Sequence, residues 1–236
     1  MRRMFDYPAK VPVCQPVEEH HMLPHWLNVV AIVSLSIAGI CFVVVLVDVV
    51  RRPQEMAIMN WVWPITTLYG GPLAVWMYAR LGRPGQRERP FYSRVAVDAT
   101  HCGAGCVLGD IIAEFVIFYT GFIILGSMLA TEYVGDYLLA YAFGIAFQFF
   151  AIVPMRHLSF WPGIRAAVKA DTISLTAFEV GLFGWMAICF LVLFRPPLMP
   201  NQPAFWFMMQ IGMVFGFLTS YPANWFLVRT GIKMSM

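Results

Sequence analysis

The chain has 236 residues, of which 60 % are hydrophobic and only 12 % charged, against roughly 25 % charged in an ordinary soluble domain. A net charge of +3, scattered along the chain, argues against a nucleic-acid-binding surface. Several apolar stretches reach the roughly 20 residues needed to cross a bilayer. These figures predict an all-α, polytopic transmembrane helix bundle with no room for a separate soluble domain.

Residues 1–26 are polar, with three His and two Glu, and lack the apolar core of a signal peptide. They read as a cytoplasmic N-terminal tail before a six-helix transmembrane domain over residues 27–236. Cys14, Glu18, Glu19, His20, His21, Met22 and His25 make the tail dense in metal donors. It is either a path for ions or a tail with incidental histidines.

Six spans are expected at about 27–50, 56–79, 96–124, 134–155, 173–194 and 203–227. With the N-terminus inside, thirteen Lys and Arg fall in inner segments and three, Arg51, Arg52 and Arg195, in outer loops. This bias predicts an N-in, C-in protein of the bacterial inner membrane. The first span would serve as a retained signal anchor. Pro64 and Gly70-Gly71-Pro72 should kink or break the second, and broken helices in transporters often mark a substrate site. The fifth should start at Asp171-Thr172 as its N-cap.

The third span carries the functional signal. No Lys or Arg occurs between Arg94 and Arg156, yet Asp98, Cys102, Cys106, Asp110 and Glu114 recur every four residues. Such a step drifts by about 40° per repeat, so they form one slowly curving stripe. His101, Gly105 and Gly109 run beside it, where small residues allow a second helix to approach. A charge at the bilayer centre costs about 2.5–3.5 kcal/mol. Asp110, Glu114 and Glu179 of the fifth span would together cost on the order of 8–10 kcal/mol if ionised and unpaired. They must face the bundle interior and be protonated, hydrated or metal-bound.

Two thiols one turn apart suit a soft or borderline ion, copper first and zinc second. The expected metal ligands are therefore His101, Cys102, Cys106 and Asp110. Glu114, Glu179, Asp98 and Asp171 would relay the ion or its counter-protons, with His157, Asn224 and Tyr221 as accessories on the inner side. Two thiols do not close a tetrahedral site, and the same residues also read as small packing groups around a satisfied histidine. Cys41 and Cys189 lie in apolar runs and read as core residues.

Four motifs carry a resemblance. They are Met59 to Pro72, Thr100-His101-Cys102-Gly103-Ala104-Gly105-Cys106 with Leu108-Gly109-Asp110, Lys169 to Gly181, and Thr219-Ser220-Tyr221-Pro222-Ala223-Asn224-Trp225. Together they resemble an uncharacterised family of bacterial integral membrane proteins, a domain of unknown function, over roughly residues 56–236. Some members are named as copper oxidases or fused to multicopper oxidase domains. The resemblance thus implies a copper connection by association, and a multicopper oxidase or metal chaperone as partner. It supplies no established catalytic residues.

The expected function is binding and transport or handling of a transition metal in the bilayer, a carrier's role rather than an enzyme's. The alternatives are a thiol- or haem-dependent intramembrane oxidoreductase, a proton-coupled small-solute transporter, and an assembly subunit of a copper enzyme.

Overall fold

The computed structural model describes residues 24–83, 90–124 and 126–234. The tail donors from Cys14 to Met22 lie outside the described residues. Six helices follow one another: α1 (His25–Arg51), α2 (Met59–Met77), α3 (Phe91–Thr120), α4 (Met128–Arg156), α5 (Phe160–Ile188) and α6 (Pro203–Arg229). Wider π turns extend α2 through Tyr78–Gly82 and α5 through Cys189–Leu193. No strand occurs among the described residues, only one isolated bridge between Ile124 and Ser127.

All of these helices except α2 are long and apolar enough to span a bilayer. α2 is broken as its sequence predicts, because Gly71 leaves helical geometry at φ 50° and ψ −133°. Pro72 has no N–H for the carbonyl of Leu68, four residues earlier. The Gln210 side-chain amide of α6 donates to that oxygen at 2.6 Å, and its carbonyl accepts from Ser34 of α1 at 2.8 Å. One glutamine thus repairs the break and ties three helices together.

Helix starts account for two departures from expectation. α4 begins at Met128 rather than near residue 134, because Ser127 adopts an extended conformation and its hydroxyl accepts from the N–H of Ala130 at 3.3 Å. α5 begins at Phe160, so Asp171 and Thr172 lie mid-helix and cap nothing. Pro162 is tolerated because first-turn N–H groups have no intrahelical acceptor. The hydroxyls of Thr172 and Thr176 instead donate to the carbonyls of Val168 and Thr172, at 2.7 and 2.8 Å. These two residues also meet Tyr141 and Tyr137 of α4, each at 3.0 Å.

α3 is the hub, touching α2, α4, α5 and α6. In its most apolar stretch 61 % of residues are buried, against 17 % for α1. α1 turns Val29, Ile32, Val33, Ile40, Val43, Val44 and Val50 outward, as a lipid-facing helix does. α3 approaches α4 closely enough for backbone to meet backbone. A β-carbon at Gly105 would lie 2.7 Å from Cα of Gly144, and one at Gly109 would collide with the backbone of Ala140. Gly109→Ala should therefore destabilise the bundle by about 1–3 kcal/mol. Gly184→Ala, with nothing within 4 Å of the new carbon, should be neutral or stabilising. Thermal unfolding of the two variants in detergent measures the difference.

Candidate functional site

The polar stripe of α3 faces inward along its whole length. Asp98, Thr100, His101, Cys102, Cys106, Asp110 and Glu114 are each at most 2 % exposed. From Asp98 to Glu114 is sixteen residues, or about 24 Å of helix at 1.5 Å per residue. That distance approaches the roughly 30 Å hydrocarbon thickness of a bilayer. Along this length the stripe meets three different environments.

At the Asp98 end the chain supplies its own cation. After α6, Gly231 takes a positive φ of 71°, a conformation that favours glycine. The N–H groups of Ile232 and Lys233 then fold back onto the carbonyl of Leu227, at 3.0 and 3.1 Å. This reversal inserts Lys233 into the bundle, where it is 1 % exposed. Its Nζ donates to Oδ1 of Asp171 at 3.0 Å and to Oδ1 of Asn224 at 2.9 Å. Asn224 is oriented by its Nδ2, which donates to Oγ of Ser174 at 2.6 Å and to the carbonyl of Ser220 at 3.0 Å. Asp98 and His101 lie within electrostatic range of Lys233. Asp98 was expected to lack a cationic neighbour; the turn at Gly231 corrects this by bringing Lys233 to it from outside the cation-free stretch.

In the middle, Cys102 and Cys106 sit one turn apart with their thiols adjoining. Tyr69 of α2 reaches them from just before the helix break. Its hydroxyl would lie 2.9 Å from a β-carbon at Gly103, and it is buried without a hydrogen-bond partner. The ring of His101 packs edge-on against Phe147 at 6.2 Å, and neither nitrogen has a partner. All four described cysteines, Cys41, Cys102, Cys106 and Cys189, are free and buried.

At the far end five carboxyl groups gather: Asp110 and Glu114 from α3, Glu132 and Asp136 from α4, and Glu179 from α5. Asp136 lies within electrostatic range of the other four. Cys106 adjoins Asp110 and Glu179, which joins this cluster to the thiols. Both oxygens of Asp110 and of Glu179, and one each of Glu114 and Asp136, are buried with no hydrogen-bond partner. Among the described residues none of these acids forms an ion pair with Lys or Arg. A small cavity of about 20 Å³ is lined here by Glu114, Glu132, Tyr133, Asp136 and Cys189, enough for a single water.

The accessory residues separate. Asn224 belongs to the lysine site. His157, at φ 51°, caps the exposed end of α4. Tyr221 donates to the carbonyl of Tyr92 at 3.2 Å, an α6–α3 link near the surface. Among the described residues no group of three or more His, Cys, Asp and Glu side chains is arranged to hold a metal ion.

Sequence reasoning missed Glu132, Asp136 and Lys233. The two acids were legible as an i, i+4 pair inside the cation-free stretch, but the late start expected for the fourth span left Glu132 in a loop. Lys233 had no sequence signal beyond the Gly231 that precedes the turn. Removing one partner of a buried pair strands the other charge, at about 3–5 kcal/mol. Lys233→Met and Asp171→Asn should each destabilise on that scale, and the double variant by less than their sum. A double-mutant cycle of unfolding in detergent measures that coupling.

Comparison with known proteins places the chain by family alone: no curated protein and no solved structure matches it. One family model matches residues 92–233, a region that takes in α3 to α6, runs through Lys233 and leaves α1 and α2 outside. The chain belongs to that family, DUF4396, a domain of unknown function.

Proposed function

We propose that this protein carries protons through its helix bundle, coupled to movement of a small solute. The observation that supports the reading is the file of buried polar side chains along α3. It runs about 24 Å from the Lys233–Asp171 pair, past two thiols, to five carboxyl groups whose oxygens are largely unpartnered. Carboxylic acids inside a bilayer-spanning bundle serve in proton relays because each can hold a proton and release it to the next. Asp110 and Glu179 are the central carriers, with Glu114, Asp136 and Glu132 leading to the small cavity. The Lys and Arg distribution supports an inner-membrane protein with both termini in the cytoplasm.

The test is proton flux in liposomes carrying an internal pH dye, driven by a potassium diffusion potential. Asp110→Asn and Glu179→Gln should each reduce flux on the order of a hundredfold, the scale on which a positioned acid or base contributes. Cys102→Ser with Cys106→Ser should retain it. Flux no greater than in empty liposomes, or unchanged by both carboxyl substitutions, would sink the reading.

A second reading, transition-metal handling, is favoured by the adjoining thiols of Cys102 and Cys106, the second of which lies beside Asp110 and Glu179. This donor set of two sulfurs with carboxylate oxygens suits copper, or zinc as a borderline ion, after local rearrangement that also draws in His101. A multicopper oxidase or a metal chaperone is the partner such a role calls for. Here the purified wild type should contain stoichiometric copper or zinc, lost in Cys102→Ala/Cys106→Ala. Equal and negligible metal in both removes this reading.

A further inference from the structure

The pocket around Lys233 has the features of a cation site already filled by the chain itself. Its acceptors come from two helices, and one of them, Asn224, is oriented by partners other than the lysine. Asp171 is set in mid-α5, and Asn224 of α6 is fixed by Ser174 and Ser220 so that its carbonyl oxygen points to the ammonium. Oδ2 of Asp171 remains buried and unpartnered, close to where a β-carbon at Gly144 would lie, at 3.3 Å. The group that fills the pocket, by contrast, sits outside any helix, on a turn held by two hydrogen bonds to one carbonyl. The acceptors lie on helices and the occupant on a turn.

Oxygen spacing selects the kind of ion. The two acceptors stand 3.0 and 2.9 Å from Nζ. Calcium draws oxygens to about 2.3–2.6 Å and magnesium to about 2.0–2.1 Å, so either would require the helices to close in. An ammonium group or a potassium ion fits the pocket as it stands. Both acceptors that touch Nζ are oxygens, one carboxylate and one amide, and Asp98 adds negative charge within electrostatic range.

We propose that Asp171 and Asn224, oriented by Ser174, form a site for a small monovalent cation of the ammonium or potassium class, which Lys233 occupies as a tethered surrogate. The turn at Gly231 is then the strap that inserts or withdraws the surrogate, and ion and lysine compete for the same oxygens. This inference concerns binding at the Asp98 end of the file and does not depend on proton flux through the carboxyl cluster.

The test is thermal unfolding of detergent-purified Lys233→Ala with methylammonium or potassium chloride, against choline chloride at equal ionic strength. Choline carries no N–H to donate to these oxygens, and its three methyl groups keep its charge from approaching them as closely as an ammonium does. The variant should show a saturable rise in Tm of about 5–10 °C at a hundredfold excess over Kd. Lys233→Ala/Asp171→Asn should show neither cation's effect, and wild type, whose lysine competes for the same oxygens, a smaller one. An equal response to choline, or the same response in the double variant, overturns the proposal. If Lys233→Ala cannot be recovered folded, the wild type decides. Acylation of Lys233 by an amine-reactive reagent, read by mass spectrometry, should rise in potassium chloride relative to choline chloride. Unchanged labelling overturns it.

Discussion

A carboxyl group can be kept from both water and lipid only where helices close tightly around it, and the contact of α3 with α4 is what makes this possible. Gly105 and Gly109 remove the side chains that would hold the two backbones apart, and Ala140 and Gly144 receive them. Lipid tails are as apolar as the residues they would replace, so close packing rather than hydrophobic exclusion holds such helices together. Because the approach is this near, Glu132 and Asp136 of α4 fall opposite Asp110 and Glu114 of α3. The glycine contact thus brings four of the five clustered acids together, and α5 adds Glu179.

The bundle compensates its buried acids in two different ways. At the Asp98 end it brings in a basic side chain, Lys233, hydrogen-bonded to Asp171 and Asn224. At the other end no Lys or Arg ion pair reaches the five carboxyl groups among the described residues. Acids without a basic partner in a low-dielectric interior hold protons or attract a mobile cation. The thiols of Cys102 and Cys106 stand between these two regimes, with Tyr69 reaching them from beside the break in α2. The charge pattern is thus graded along one helix, from acids beside an internal lysine to acids with no Lys or Arg ion pair among the described residues.

Much of the fold was open to sequence reasoning because its causes are local. Six helices, an inward polar stripe on the third and a break at Gly70-Gly71-Pro72 follow from hydropathy, from four-residue spacing and from the missing N–H of Pro72. Helix starts were less accessible. Arg165 and Lys169 made the first half of α5 look like a loop, although a helix can run past a membrane boundary. That misplacement turned Asp171 into a supposed cap, where the folded chain has the acceptor of a buried ion pair.

By itself the sequence determined which side chains share the inner face of α3, since 3.6 residues per turn leaves no freedom once the helix exists. It likewise determined that these groups must avoid lipid, because desolvating them unpaired is too costly. Only the tertiary structure decided which of them meet. The partners of Asp98, Asp110 and Glu114 come from α4, α5 and the turn after α6, and those pairings arise from helix approach and a single positive-φ glycine. Distances between residues far apart in the chain are properties of packing, and no periodicity along one helix encodes them.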